Sequence, residues 1–581
     1  MTLTTLDWAI IVLYFIISAA IGVLLSKRGS RSVNEFFLSG RNLPWWLAGT
    51  SMVATTFAAD TPLAVAGLVA RNGIAGNWIW WSAGAGSMLT VFFFARLWRR
   101  AGILTDVEFA ELRYTGRPAA ILRGFRALYL GIPINCVIMG WVNLAMAKIL
   151  AVTLGWDRWT AVLVSLAITG IYSALSGLWG VVVTDFFQFA FAMAASVALA
   201  YFALSLPEIG GLTGLRASLP DAAFAFVPDF GAMTLQETAT FTTLPLASFL
   251  AYVCVQWWAS WYPGQEPGGG GYVAQRMMSA KDERHSLLAT LWFTVAHYCV
   301  RPWPWIIVGL ASLVLYPELT DKEAGYVYVM RDHLPVGWRG LMLGAFFAAY
   351  MSTISTQLNW GTSYIVNDFY RRFLRTDATD AHYVWAGRVT TIALMMASAV
   401  VTFYLESIRQ AWEFVLESGA GIGLVLILRW YWWRINAWSE IAAMVGAAIG
   451  YATLKTFTSL AFPDTLLIVV AWTTVCWLVV TFLTTPESDA HLIAFYRRVR
   501  PDGAGWARIA SAAGEPAPVP ASRMLLSWVA GTVFVYAVLF GTGRALLDNL
   551  AASLPYLAVA VIAAWVVARD LSKRGWRSVT D

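Results

Sequence analysis

Polar residues interrupt three long apolar segments, and the first interruption is the run Ala58-Ala59-Asp60-Thr61-Pro62. Proline cannot donate a backbone hydrogen bond and clashes with the preceding helical turn, so Pro62 should free carbonyls near Ala58. A carboxylate in such a segment needs a partner or a polar cavity. The run therefore predicts a broken helix that offers Asp60 and free carbonyls to a ligand. A proline kink with Asp60 paired to a neighbouring helix is the structural alternative.

The second interruption is stronger and follows Trp257. Prolines and glycines break the apolar segment here: Pro263, Gly264, Pro267 and Gly268–Gly271. Such a break is tolerated at membrane depth only where it lines a cavity or is buried in protein. Trp257 and Trp261 share a helix face and are candidates to stack on a ring-bearing solute. The alternatives are a helix that ends at Tyr262 before a cytoplasmic loop, and tryptophans that pack against helices or lipid.

A third apolar segment carries a polar stripe. Its members recur at helical spacing on one face, with Thr353 at the edge: Ser352, Ser355, Thr356, Asn359 and Ser363. Sodium, like other hard cations, prefers oxygen ligands. Carbonyls of a broken helix and hydroxyls of this stripe therefore predict a cation site between the two segments.

A further intramembrane carboxylate, Asp185, lies in the run GLWGVVVTDFFQFAF, one helical turn before Gln188. An ionisable residue at such a depth indicates a functional site. The alternative is an interfacial aspartate that reaches water.

The elements that must position these residues are transmembrane helices. Of the 581 residues, 59% are hydrophobic and only 13% are charged, and the mean hydropathy is +0.62, so a water-soluble globule is excluded. We identify fifteen apolar spans, each long enough to cross a bilayer as a helix. The net charge of +6 comes from Lys/Arg clusters between spans, which indicates membrane topology rather than nucleic-acid binding. Their alternation predicts an inner-membrane protein with its N-terminus outside and its C-terminus in the cytoplasm.

The spans divide the chain into five parts. The predicted boundaries are 1–40 for an extra N-terminal helix and first cytoplasmic loop, 41–433 for a ten-helix core and 434–485 for two further helices. Residues 486–522 form a cytoplasmic linker, because they contain the Pro/Ala-rich run GEPAPVPAS. Residues 523–581 form two last helices and a basic tail.

From Asp7 to Ala461, the chain resembles the sodium:solute symporter family, which includes sodium–galactose, sodium–proline and sialic acid symporters. The likeness rests on motifs in matching order: RNLPWWLAGTSMVATTFAADT, SGLWGVVVTDFFQ, GYVAQRMMSAK, LPVGWRGLMLGAFFAAYMSTIST and LRWYWWRIN. It implies an all-α LeuT-type fold of two inverted five-helix repeats. One extra N-terminal helix and about four C-terminal helices bring the total to about 15.

The resemblance also implies sodium as the coupling ion. A first sodium site falls on two carbonyls of the broken helix and three positions of the striped segment: Ala54, Phe57, Ala349, Ser352 and Thr353. A second site, present in some members, falls on Asp185, Ser352, Ser355 and Thr356, all of which keep oxygen-bearing side chains.

The predicted function is sodium-coupled uptake of a small polar solute by alternating access. The candidate solute-binding residues lie near the two breaks: Asp60, Thr61, Trp257, Trp261 and Gly270. Sugar-transporting members have Gln where this chain has Thr61, and Asn-Gln-Tyr where it has Gly270-Gly271-Tyr272. The solute therefore stays open among sugar, polyol, amino acid and carboxylate.

Three other functions are alternatives. A sodium-independent transporter conflicts with the retained hydroxyls, and a transporter-like sensor has no signalling domain to act through. A membrane-embedded enzyme lacks HExxH and GxSxG motifs, and only five histidines occur. Solute, sodium and membrane lipid are the expected partners, without nucleic acid. A monomer is compatible with the sequence, which leaves the oligomeric state open.

Overall fold

The computed structural model of the chain describes residues 3–29, 38–173, 178–228, 242–260, 267–518 and 520–574. Within these ranges the regular secondary structure is helical, apart from one isolated parallel bridge between Leu43 and Ala280. Helices satisfy every backbone group internally, as a lipid environment requires. The all-α membrane architecture predicted from the sequence is confirmed within these ranges.

Ten helices of the described chain are long and apolar enough to cross a membrane: Ile74–Ala101, Gly116–Leu154, Val182–Leu204, Glu283–Leu315, Trp338–Leu374, Asp380–Tyr404, Ala437–Phe457, Asp464–Leu483, Met524–Leu547 and Leu550–Lys573. Two bent pairs raise that number to twelve, and three shorter apolar helices coincide with the remaining predicted spans: Thr5–Ser18, Arg158–Gly170 and Leu246–Ala259. The total of fifteen spans stays a prediction.

The first broken helix consists of Trp45–Thr55 and Asp60–Asn72, which meet at an angle of 62°. Pro62 lies in the first turn of the second half, where the missing N–H has no intrahelical partner to lose. The break therefore falls at residues 56–59, directly before Asp60, and agrees with the position that the proline predicts.

The second broken helix consists of Leu246–Ala259 and Gly271–Ser279. The described residues between them include Gly268 and Gly269, whose φ values of 94° and 77° favour glycine. The predicted site residue Trp261 lies outside the described residues. The end of this helix is tied to the start of the first broken helix, because the Leu43 N–H donates to the Ser279 carbonyl at 3.1 Å.

A third broken helix was not predicted. The sequence favoured one continuous span over 411–433, but the structure has Ile408–Ser418 and Ile422–Tyr431 at an angle of 52°. Gly421 has a φ of 87° and donates its N–H to the Ala259 carbonyl at 2.9 Å. A Cβ on Gly423 would lie 2.2 Å from the Trp258 carbonyl oxygen. The third break therefore packs backbone to backbone against the second.

The C-terminal third also packs on the core. Two helices, Asp489–Val499 and Ala507–Ala513, form within the segment predicted as a linker, and their region buries Phe495 and Trp506. The last two helices, Ala521–Leu547 and Leu550–Arg574, follow as an antiparallel pair. Tyr536 attaches that pair to the core through a 2.9 Å hydrogen bond to the Trp81 carbonyl.

Candidate functional site

A central cavity lies where the three breaks meet. The first broken helix and the striped helix Trp338–Ser363 supply much of its polar lining. The second and third broken helices and the helices Ile74–Ala101, Gly116–Leu154 and Glu283–Leu315 supply the rest. The lining of the cavity includes Thr55, Asp60, Thr61, Trp257, Ser260, Gln357 and Trp412. The free volume is only about 80 Å³, which is less than a typical ligand pocket offers.

The cavity carries an excess of unsatisfied polar atoms. Three buried side-chain atoms on its wall have no hydrogen-bond partner within the described ranges: Thr55 Oγ1, Ser260 Oγ and Gln357 Oε1. Beside them, the Asp60 carboxylate faces the indole N–H of Trp412. Each such atom costs about 1–3 kcal/mol when it is left without a partner. Their convergence on one cavity indicates a binding site for a polar molecule.

A basic cluster supports the first break, and sequence reasoning missed it. The Arg301 Nη1 group donates to Thr56 Oγ1 at 3.1 Å, and its Nη2 group lies 3.3 Å from His297 Nε2. Because a guanidinium can only donate, His297 Nε2 accepts, and the Nδ1–H group then faces Thr56 Oγ1 at 3.1 Å. Thr56 in turn donates to the Val53 carbonyl at 2.8 Å. A fixed positive charge therefore lies at the C-terminal end of the first half-helix, where the helix dipole favours it.

The residues of the first predicted sodium site lie on two elements that touch. Ala54 lies just before the break and Phe57 lies within it, and the Phe57 N–H donates to the Ala54 carbonyl at 3.0 Å. Thr353 on the striped helix donates to the Thr55 carbonyl at 3.1 Å. Ala349, one turn earlier, is buried. The structure therefore brings the break and the hydroxyls together.

The second predicted sodium site includes Asp185 on the helix Leu178–Leu204, and one other member of the predicted set, Ser352, contacts this carboxylate. Ser352 donates to one carboxylate oxygen at 2.6 Å, and Ser51 of the first broken helix donates to the other at 2.7 Å. Ser355 donates to the Ser352 carbonyl at 3.2 Å. Thr356 Oγ1 is buried without a partner among the described residues. Asp185 is thus a buried carboxylate that is hydrogen-bonded from two other helices.

The sequence of the chain matches a known family of membrane proteins. The model of the sodium:solute symporter family matches residues 36–450. The chain belongs to the sodium:solute symporter family. Similar proteins include a sodium/glucose cotransporter of Vibrio parahaemolyticus, 25% identical over 84% of this chain and 92% of the relative. The sodium/glucose cotransporter 1 of Oryctolagus cuniculus is 26% identical over 77% of this chain and 70% of the relative.

Among solved structures, the outward-open state of a Na⁺-coupled sialic acid symporter is similar in fold. Its TM-score is 0.66 at 18% identity, over 84% of this chain and 99% of that one. The predicted family, transporter class and sodium-coupled symport of a small solute are confirmed. The similar proteins are transporters, and sodium is the coupling ion that the family implies. The predicted LeuT-type fold is confirmed as well.

Besides Ser51, sequence reasoning missed a charged neighbour of Asp185 in the symporter. Arg276, in the second half of the second broken helix, places its Nη2 atom 4.0 Å from Asp185 Oδ2. Its Nε group donates to Ser51 Oγ at 3.3 Å. The pair is fully enclosed, since each side chain is 1% exposed. The motif GYVAQRMM contains Arg276, but sequence spacing does not indicate which carboxylate it meets.

The predicted solute residues divide into two groups. Asp60, Thr61 and Trp257 line the central cavity of the symporter. Gly270 does not line it: this residue precedes the helix Gly271–Ser279, and the Gly271 N–H donates to Asp106 Oδ2 at 3.1 Å. The solute roles of all four residues stay predictions.

Proposed function

We propose that the symporter binds a hydroxyl-bearing solute in the central cavity and couples its uptake to sodium bound beside the first break. The observation that carries the proposal is the group of three unsatisfied polar atoms on the cavity wall, Thr55 Oγ1, Ser260 Oγ and Gln357 Oε1, next to the buried Asp60 carboxylate. A hydroxyl group both donates and accepts, so several hydroxyls on one ring can satisfy a wall that mixes acceptors and hydroxyls.

Two features narrow the solute further. The Asp60 carboxylate accepts strong hydrogen bonds from hydroxyl donors, and Trp257 and Trp412 add large apolar faces to the same cavity. Asp60 and Arg301 give this cavity one carboxylate and one guanidinium. A ring with polar edges and an apolar face, such as a sugar or a cyclic polyol, matches these groups chemically, and the cavity must widen beyond its free volume of about 80 Å³ to admit it.

In this proposal one sodium ion binds at the break. Its ligands are the carbonyls of Ala54, Phe57 and Ala349 and the hydroxyls of Ser352 and Thr353. The contact between Thr353 and the Thr55 carbonyl supports this assignment. A second sodium binds at Asp185 with Ser352, Ser355 and Thr356, supported by the unsatisfied Thr356 hydroxyl. One observation favours a one-sodium symporter instead: the Arg276 guanidinium already stands beside Asp185.

The symporter lies in the plasma membrane with its N-terminus outside and its C-terminus in the cytoplasm. In this orientation the helix ends near Asn72, Tyr316 and Ile408 lie on the outer side of the membrane. A cysteine introduced near either terminus and labelled with an impermeant thiol reagent on intact cells tests this orientation.

Uptake into proteoliposomes tests the function. An inward sodium gradient, compared with a potassium gradient, should drive accumulation of one or more labelled solutes from a panel of sugars, polyols, amino acids and carboxylates. Asp60→Asn should raise the solute KM about tenfold or more, because the wall loses its charged acceptor. Sodium-driven uptake of amino acids alone, with an unchanged KM in Asp60→Asn, would refute the solute class.

Location is tested by solute protection. In a variant without the four native cysteines, Thr61→Cys should react with a permeant thiol reagent and be protected by the transported solute. Thr391→Cys, on the helix Asp380–Tyr404, should not be protected. Equal reaction of Thr61→Cys with and without saturating solute would place the solute elsewhere.

A further inference from the structure

A second and larger cavity lies next to the central one. Its volume is about 480 Å³, and Ile79 lines both cavities. Its walls come from the end of the first broken helix near Arg71, the start of the second broken helix, and the start of the third near Arg409. In the orientation proposed above it faces the outside, and we call it the outer cavity.

The outer cavity is basic. Its charged lining consists of Arg71, Lys322, Arg409 and Glu413. Glu413 pairs with Arg409 at 2.8 Å, so one cation of the three is neutralised by a carboxylate of the lining. The buried Nε atom of Arg71 has no hydrogen-bond partner in the described parts of the chain. Lys322 donates to the Pro317 carbonyl at 3.1 Å, and the acidic side chain that acts on its charge is Glu318, which does not line the cavity.

Arg71 and Lys322 repel each other in this cavity. Lys322 lies in the loop after Tyr316, outside the membrane spans, where partial burial and then the charge of Arg71 lower its pKa from the ordinary value. Two like charges that share a pocket disfavour each other's charged form. An anion between them would remove this repulsion and satisfy the free donors at the same time.

The location of these cations is unusual for a membrane protein. Lysine and arginine concentrate in cytoplasmic loops, yet Arg71, Lys322 and Arg409 converge at the opposite end of the helices. A cluster that runs against this bias, and that is only partly neutralised, indicates a binding role rather than a topological one.

The wall that carries two of these cations is fixed. Glu323 is 1% exposed and accepts hydrogen bonds from the backbone N–H groups of Ile408 and Arg409, at 3.2 and 3.1 Å. It also pairs with Lys148 at 2.7 Å. Lys322 and the start of the third broken helix are therefore held in place by one buried carboxylate, and the basic wall is preorganised before any ligand arrives.

We propose that the outer cavity is a binding site for a small oxyanion, held by Arg71 and Lys322. The oxyanion is either the carboxylate of an organic acid that arrives for transport or a free inorganic anion. The term outer cavity and the comparison with the bias of lysine and arginine both rest on the orientation proposed above. The binding of an anion requires neither that orientation nor transport.

Binding is tested on the full chain in lipid nanodiscs by calorimetric titration, without a sodium gradient, in a low-chloride buffer of constant ionic strength. The probes are D-gluconate and inorganic phosphate. Arg71→Gln and Lys322→Gln should each weaken binding about tenfold, equivalent to about 1.4 kcal/mol. Lys322→Gln changes a partly exposed loop residue, so it tests the site even if Arg71→Gln does not fold.

Arg331→Gln is the matched control, because Arg331 lies nearby on the helix Gly325–His333, pairs with Asp332 and does not line the cavity. Gluconate binding alone that depends on both cations supports a solute carboxylate, and phosphate binding with the same dependence supports a free anion. Three results would overturn the proposal: no binding of either probe, binding that neither Arg71→Gln nor Lys322→Gln weakens, or an equal loss in Arg331→Gln. Because binding is measured without uptake, a failure here is distinct from a failure of the transport assay.

Discussion

Replacing Thr353 with valine tests whether the Thr353 hydroxyl has only a structural role or also binds sodium. The Thr353 hydroxyl donates its proton to the Thr55 carbonyl at 3.1 Å, which leaves the lone pairs of its oxygen available to a cation. Valine keeps the branched shape but removes both interactions. The lost neutral hydrogen bond should lower the free energy of unfolding by about 1 kcal/mol.

The effect on sodium should be larger. A polar contact with a charged group contributes about 1.5–3 kcal/mol, which corresponds to a rise of about 10- to 150-fold in the sodium concentration for half-maximal uptake. Initial uptake rates in proteoliposomes, measured over a range of sodium concentrations at saturating solute, give this value directly. The solute KM at saturating sodium should change much less.

Thr362→Val is the matched control for this substitution. Thr362 lies on the same striped helix, and its hydroxyl contacts the Thr391 hydroxyl at 3.0 Å rather than the break. Its loss should cost similar stability without affecting sodium. If Thr353→Val folds and its sodium dependence stays within twofold of the original chain, the assignment of Thr353 as a sodium ligand is wrong.

Three further predictions concern Asp185 and the breaks. Asp185→Asn should lower the number of sodium ions coupled per solute, measured from reversal potentials; a ratio of one in the unaltered chain would refute the second site. Arg276→Gln should lower the sodium concentration for half-maximal uptake about tenfold, because it removes a competing cation beside Asp185; an unchanged or raised value would contradict the competition. Gly423→Ala should lower the thermal unfolding temperature markedly, since its Cβ would lie 2.2 Å from the Trp258 carbonyl oxygen, whereas Gly387→Ala, with its nearest contact at 3.6 Å, should not. Equal unfolding temperatures in the two glycine variants would show that the third break has room to relax.

The sequence predicted the first break because the effect of Pro62 is local. A proline decides where a helix begins within a turn or two, without help from the rest of the fold. Hydropathy likewise located the ten described helices that are long and apolar enough to cross a membrane, because the length of a span reflects the thickness of the bilayer. The third break was missed although Gly419, Gly421 and Gly423 stand in one short run. Glycines are common in transmembrane helices, so only the packing against Ala259 distinguishes a break from a close helix contact.

The candidate site was only partly predictable for the same reason. Periodicity placed Ser352, Ser355 and Thr356 on one face, and the depth of Asp185 in an apolar segment singled out this carboxylate before the family motifs linked it to a sodium site. The partners of these residues come from distant parts of the chain: Ser51 is 134 residues from Asp185, and Arg276 is 225 residues from Ser51. No spacing rule connects such positions. His297 and Arg301 were missed because a histidine or arginine inside an apolar span gives no indication of its partner.

The contact between the second and third breaks has a mechanical consequence. At Gly421 and Gly423 no side-chain layer separates the two main chains, and the Gly421 N–H is bonded directly to the Ala259 carbonyl. Side chains in a packed interface can change rotamer and absorb a displacement, but two main chains in contact cannot. A change of angle in one of these hinges must therefore displace the other in the same step. We therefore expect the two helices to change angle together for as long as this hydrogen bond persists.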